Sequence, residues 1–339
     1  MKEMVRHNDA LGLRAGELVE VRGQDEILAT LDERGELEGL PFMPEMLQFC
    51  GRRFRVSKQA FKLCDTINGG GMNRMERAVH LEDLRCDGQA HGGCQAACLI
   101  YWKEAWLKRV DGVAANGAGA APPRPRPGTS LPLLTRATRK AVGTGSDEEL
   151  FSCQATELLR AAPEKLPAWD LKQYVQDVRS ANAGLLTVLH TVAIGAFNEY
   201  QDLSARLLPR WLRIRGGRRF PFLNGTLRRT PTETLDLQPG ELVRIKSKEE
   251  ILRTLDTGNR NRGMRFDAEM LKFCGRQARV LGRVERIIDE PTGRMLELKN
   301  PCILLEGVIC PGDYHRLCPR GTYSYWREIW LERVERSGP

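Results

Sequence analysis

No Cys-x-x-Cys pair occurs anywhere in the chain, so the tightest zinc-knuckle signature is missing although ten cysteines are present. Hydrolase elbow, phosphate loop, dinucleotide fingerprint and metalloprotease helix are also absent; Gly69-Gly70-Gly71 lacks the Lys-Ser/Thr that would follow in a phosphate loop. Aromatic residues make up only 6%. The longest apolar run, Ala183 to Phe197, contains His190 and is too short to span a bilayer, which predicts a buried helix and no transmembrane segment. The opening residues mix charges without an apolar core, so a cytoplasmic location is expected.

What remains is a globular composition: 339 residues, 41% hydrophobic and 28% charged, enough for two or three domains. The net charge of +8 is local. Between Leu203 and Thr232 there is no acidic residue, while eight arginines, among them Arg213, Arg215, Arg218 and Arg219, supply the whole excess. Such a tract is a candidate for nucleic acid, anionic lipid or an acidic partner, and equally for a solvated connector.

Self-comparison organises the chain, because a segment near the start returns at a constant offset of 224 residues. Gly16-Glu17-Leu18-Val19 returns as Gly240-Glu241-Leu242-Val243, and Glu45-Met46-Leu47 with Phe49-Cys50-Gly51-Arg52 returns as Glu269-Met270-Leu271 with Phe273-Cys274-Gly275-Arg276. The pattern closes with Tyr-Trp-x-Glu-x-Trp-Leu-x-Arg-Val at 101–110 and 325–334. Alternation at Leu242–Ile245 suits a strand, Ser247 with Glu250 suits a capping box, and Asp289-Glu290-Pro291-Thr292-Gly293 suits a hairpin turn. The expected fold is α+β: two small β domains resembling SH3-like barrels with short helices, at 11–110 and 235–334. Between them fall an Ala/Gly/Pro-rich linker (111–146), a helical module (147–208) and an Arg-rich connector (209–234). Trp102 with Trp106, and Trp326 with Trp330, stand four residues apart and are expected on a core-packing helix.

Clustered cysteines in a cytoplasmic chain point to metal or redox chemistry before disulfides. Cys86, His91 and Cys94 recur as Cys310, His315 and Cys318, whereas Cys64, Cys98 and Cys302 belong to one copy each. The expectation is two metal sites, one from Cys64, Cys86, Cys94 and Cys98, the other from Cys302, Cys310 and Cys318 with His315 or Cys274; His91 is a further donor. The loose spacing of seven residues and then three favours an iron–sulfur cluster over zinc. Packing is the competing reading, and it is favoured for Cys50 and Cys274, each set between Phe and Gly. Asp170, Tyr174 and Asp177 fall on one helical face, where capping and a solvated surface compete with cation binding.

Phe-Cys-Gly-Arg-Arg-Phe-Arg-Val at 49–56, His-Gly-Gly-Cys-Gln-Ala-Ala-Cys at 91–98 and the Trp-x-Glu-x-Trp-Leu ending resemble a recurring family of Cys-rich bacterial proteins. The resemblance implies a bacterial, cytoplasmic setting and carries no particular activity. The functional expectation is a twin-domain metal protein serving redox or electron transfer to a partner enzyme. The alternatives are a zinc-stabilised nucleic-acid-binding protein and an enzyme with an open metal position in the second copy.

Overall fold

The computed structural model describes residues 11–68, 70–110, 130–140 and 149–334. The chain divides into two compact units, residues 1–184 with 286–296, and residues 185–285 with 297–339. The division falls within 147–208, so that stretch is shared between the units.

The first unit runs β1 (Leu18–Val21), α1 (Gln24–Leu28), β2 (Glu36–Leu37), β3 (Leu40–Pro41), a 3-10 turn (Pro44–Phe49), β4 (Arg53–Gln59), β5 (Lys62–Cys64), β6 (Met72–Arg74), β7 (Ala78–Arg85), β8 (Leu99–Lys103) and β9 (Leu107–Arg109). Three helices follow, α2 (Ser130–Ala137), α3 (Gln154–Ala161) and α4 (Lys172–Arg179). A curled sheet of order β8-β7-β4-β1-β9 wraps the core. Alternation sets its faces: in Leu-Val-Glu-Val of β1, Val19 and Val21 are fully buried while Leu18 and Glu20 are half-buried.

The second unit begins with α5 (Leu185–Leu207) and continues through β10 (Leu242–Ile245), α6 (Lys248–Leu252), β11 (Arg260–Asn261), β12 (Met264–Arg265), a 3-10 turn (Ala268–Phe273), β13 (Gln277–Ile288), β14 (Met295–Leu305) and β15 (Leu331–Arg333). Its sheet has the order β14-β13-β10-β15. The expected capping box forms: Ser247 Oγ accepts the Glu250 amide at 3.3 Å, and Glu250 Oε2 accepts the Ser247 amide at 2.8 Å. The β13–β14 hairpin turns at Asp289–Gly293, where the Gly293 amide donates to Asp289 O at 2.8 Å; this tip, 286–296, belongs to the first unit.

The tryptophans build both cores, although not from a helix. Trp102 and Trp326 lie in extended chain, and a single 3-10 turn, Glu104–Trp106 or Glu328–Trp330, carries the second ring inward before the final strand. The β-branched and aromatic residues around the motif favour extended chain over its helical spacing. Phe42 meets Trp102 and Trp106 edge-on at 6.3 and 5.2 Å, and Phe266 meets Trp326 and Trp330 at 6.3 and 5.4 Å. Such edge-to-face pairs add about 0.5–1.5 kcal/mol each beyond simple burial. The glutamates of these turns anchor loops: Glu104 accepts the amides of Gly12 and Leu13, and Glu328 accepts those of Leu235 and Leu237.

Three stretches differ from the sequence expectation. The run Ala183 to Phe197, expected as a buried helix, opens α5, on which Leu185, Leu186, Leu189 and Ala193 are exposed. Within the expected linker, Leu131-Pro-Leu-Leu supports α2, and Leu134 is fully buried in the first core. Within the expected helical face, Asp177 is not solvated but fully buried, pairing with Lys62 Nζ at 2.6 Å. Asp170 stands one residue ahead of the N-cap position, Leu171, where it accepts the Lys172 amide at 3.1 Å and pairs with Arg74. Among the described residues no helix is long and apolar enough to cross a membrane.

Candidate metal centres

In the first unit, β7 ends at Arg85 and delivers Cys86 into a loop whose base is closed by the Cys86 amide donating to Cys98 O at 2.9 Å. The loop turns on Gly88, at φ +72°: its carbonyl accepts the His91 amide at 2.9 Å and the Gly93 amide at 3.0 Å, and the Cys94 amide then bonds His91 O. A Cβ on Gly88 would lie 1.9 Å from Cys94 O, so only glycine permits this closure. The second unit repeats each bond. Cys310 donates to Thr322 O at 2.8 Å, His315 and Leu317 donate to Gly312 O at 3.0 and 2.7 Å, and Cys318 donates to His315 O at 3.0 Å.

These loops bring Cys86 and His91 together with Glu45, and Cys310 and His315 together with Glu269. In each trio one donor atom from every side chain lies within 4.8 Å of the others. Both glutamates come from the 3-10 turn before the Cys-Gly dipeptide, and they stand at the same offset as the cysteines and histidines. In the first trio Cys86 Sγ is 3.0 Å and His91 Nδ1 is 3.5 Å from Glu45 Oε1. Donors around a tetrahedral zinc ion stand about 3.5 Å apart, so the spacing suits one small divalent cation.

The first trio is closed. The His91 and Glu45 side chains are 1% and 4% exposed, and Phe151 packs so closely on the loop that a Cβ on Gly92 would lie 2.4 Å from its ring. Neither ring nitrogen of His91 has a hydrogen-bond partner, and Glu45 Oε2 has none either. Burial, opposed by the charge of Glu45, lowers the His91 pKa and keeps the imidazole neutral. The Ser152 backbone also favours the protonated ring. Burial also drives the Cys86 thiol well upward, and the Glu45 carboxylate adds to the effect.

The second trio is open and better satisfied. His315 is 43% exposed, with Nδ1 3.4 Å from Glu269 Oε1 and Nε2 3.8 Å from Asp267 Oδ2. Glu269 is buried, which raises its pKa, but it already accepts the Tyr314 and Asp313 amides at 2.6 and 3.2 Å. Tyr314 stacks on Phe220 at 6.2 Å, leaving the imidazole edge to solvent.

The other expected donors lie outside the two trios. Cys64 ends β5 opposite Met72, Cys94 Sγ accepts the Ile288 amide at 3.4 Å, and Cys98 closes the base of the loop. Cys302 is buried with Sγ 3.3 Å from Met264 Sδ and 3.5 Å from Arg327 Nη1, and Cys318 is buried at the loop end. Cys50 and Cys274 terminate the 3-10 turns and pack on the two cores, where burial pushes both thiols up to about 11. Cys153, not among the expected donors, is buried and pushed up to about 12, first by burial and then by the nearby Cys98 and Cys94 thiols.

The Arg-rich connector is folded against its own unit. Arg219 pairs with both carboxylate oxygens of Asp202 at 3.1 and 3.0 Å, Arg213 donates to Leu208 O at 2.7 Å, and Arg215 stacks on Phe222. Gln201, fully buried, bonds the carbonyls of Ile214 and Arg218. Glu45 and Glu269 are the candidate ligands that cysteine and histidine spacing does not reveal; their recurrence at the shared offset is the signal the sequence offers for them. No family model, no curated protein and no solved structure matches this chain.

Proposed function

We propose that the chain is a two-site metal-binding protein in which Glu45, Cys86 and His91 hold a divalent transition ion, zinc by donor chemistry, and Glu269, Cys310 and His315 form a weaker, solvent-facing counterpart. One observation carries this reading: His91 is buried with neither ring nitrogen in a well-formed hydrogen bond, its Nδ1 3.5 Å from Glu45 Oε1, beside a thiol and a carboxylate oxygen that also lacks a partner. An unsatisfied buried polar atom costs about 1–3 kcal/mol, and a cation bound by that imidazole and carboxylate relieves the cost. One thiolate, one imidazole and one carboxylate suit a mononuclear ion, whereas clusters favour thiolates throughout. The closed site serves the fold. The open one leaves a coordination position to solvent or a small ligand, which is the feature an enzyme would require.

An iron–sulfur cluster supporting a partner enzyme is the second reading, favoured by the closeness of Cys98 to both Cys86 and Cys153 and of Cys94 to Cys153. Nucleic-acid binding has less support, since Arg213, Arg215 and Arg219 are engaged within the unit. The test is metal and sulfide analysis of protein purified without oxygen, with Cys86→Ser and Cys310→Ser alongside. The expected result is a colourless protein with one tight zinc that Cys86→Ser loses, and a second, chelator-labile zinc that Cys310→Ser loses. Iron with acid-labile sulfide establishes the cluster reading; metal-free protein that takes up no added zinc overturns both.

A further inference from the structure

Among the described residues, only one of two faces of the 23-residue α5 is covered. Val188, Thr191, Ile194, Gln201 and Ser204 are buried against the unit, with Phe197 edge-on to Phe222 at 6.1 Å. On another face Leu186, Leu189, Ala193, Ala196, Tyr200, Leu203 and Leu207 are all exposed, Leu186 at 82% and Leu207 at 70%. Their spacing alternates strictly between three and four residues along the helix. An amphipathic surface helix turns its apolar stripe inward; a solvent-facing stripe with this period is the seam of a coiled coil, whose partner is another helix.

The side-chain sizes along the seam select the partner. Reversing the seam about Ala196 sets Leu186 against Leu207, Leu189 against Leu203, Ala193 against Tyr200 and Ala196 against itself. Large meets large at both ends, and the ring of Tyr200 covers the gap left by Ala193. A parallel pairing would instead stack Tyr on Tyr and leave two Ala–Ala layers unfilled. Flanking the reversed seam, Glu199 falls beside Val192 and Arg206 beside Leu185, so like charges do not face one another. We infer that α5 pairs antiparallel with α5 of a second copy of this chain, making the protein a homodimer. The seam spans three heptads.

The experiment measures the mass of the full chain by light scattering at tens of micromolar, for the wild type, Leu189→Glu, Leu203→Lys and a mixture of the two variants, with helix content recorded for each. The expected result is a dimeric wild type, two well-folded variants that dissociate with constants at least about tenfold higher, and recovery of dimer on mixing, because position 189 meets position 203 of the partner only when the helices are antiparallel. A monomeric wild type overturns the inference, whether a membrane surface or another segment of this chain takes the stripe. A dimer that survives Leu189→Glu overturns it as well, and variants that do not recover on mixing overturn the antiparallel arrangement.

Discussion

Cys86 Sγ lies 3.0 Å from Oε1 of Glu45, joining the end of β7 to a 3-10 turn 41 residues earlier. While the Cys86 thiol keeps its proton, the carboxylate would supply the first attraction for the proposed cation. Glu45→Gln removes that charge at nearly constant volume. It is expected to weaken the tight zinc at least about 10–100-fold, measured by competition with a chromogenic chelator, while leaving the labile zinc unchanged. Glu269→Gln is expected to do the reverse, and equal effects from both would show that the trios do not act separately.

Gly88 fixes the loop that presents His91. Alanine there is strained twice, by φ +72° and by a Cβ 1.9 Å from Cys94 O. Gly88→Ala is expected to cost at least about 1–3 kcal/mol in urea unfolding and to lower zinc affinity in the first unit. Gly282→Ala, on β13 with nothing within 4 Å of its Cβ, is expected to change neither.

The exposure of the two histidines predicts different reactivity. His315 is 43% exposed and His91 only 1%, so an imidazole-acylating reagent is expected to modify His315 in the native protein and to spare His91. Added zinc is expected to protect His315. Modification of His91 at the same rate, read by peptide mass, would show that the Phe151 cover does not close the first site.

Period and recurrence made much of this architecture readable. The alternation of Leu242–Ile245, the Ser247–Glu250 cap and the 289–293 turn are local signals, and the local chain obeys them. Trp102 and Trp106 misled because four-residue spacing also fits a strand entering one 3-10 turn, a choice made by the core the rings fill. The trio was half legible. Cysteine and histidine announce themselves by chemistry, whereas Glu45 and Glu269 are ordinary residues whose burial depends on tertiary packing. Nothing in the sequence distinguished the closed trio from the open one, because Phe151, which packs on Gly92 beside His91, comes from far along the chain.

Lys62 and Asp177 form a fully buried pair that ties β5 to α4, with the rings of Phe61 and Tyr174 centred 5.2 and 5.4 Å from the ammonium. Burial pushes the Asp177 carboxyl upward against the pull of Lys62. Removing one partner strands the other charge, so Lys62→Met is expected to destabilise by about 3–5 kcal/mol in urea unfolding. Lys62→Met with Asp177→Leu replaces both charges by apolar groups and is expected to regain most of that loss. A double variant no better than the single one would show that the pair is not the source of the cost.

Asp65 provides the acid-side prediction. Burial favours its protonated form, but the amides of Asn68 and Ile67 at 2.8 and 3.0 Å, the Asn68 side chain and the Lys165 ammonium outweigh that cost and lower the carboxyl from 3.8 to about 2. A carboxyl depressed on folding contributes stability that is complete above its unfolded pKa and is lost as pH falls through the folded value. Lys165 is 59% exposed, so solvent screening holds the contribution to roughly 1–2 kcal/mol. The stability difference between wild type and Asp65→Ala in urea is therefore expected to be constant above about pH 4 and to narrow from there to about pH 2. A gap unchanged down to pH 2 would mean that the aspartate holds its loop by shape alone and that the ionised carboxylate contributes nothing to it.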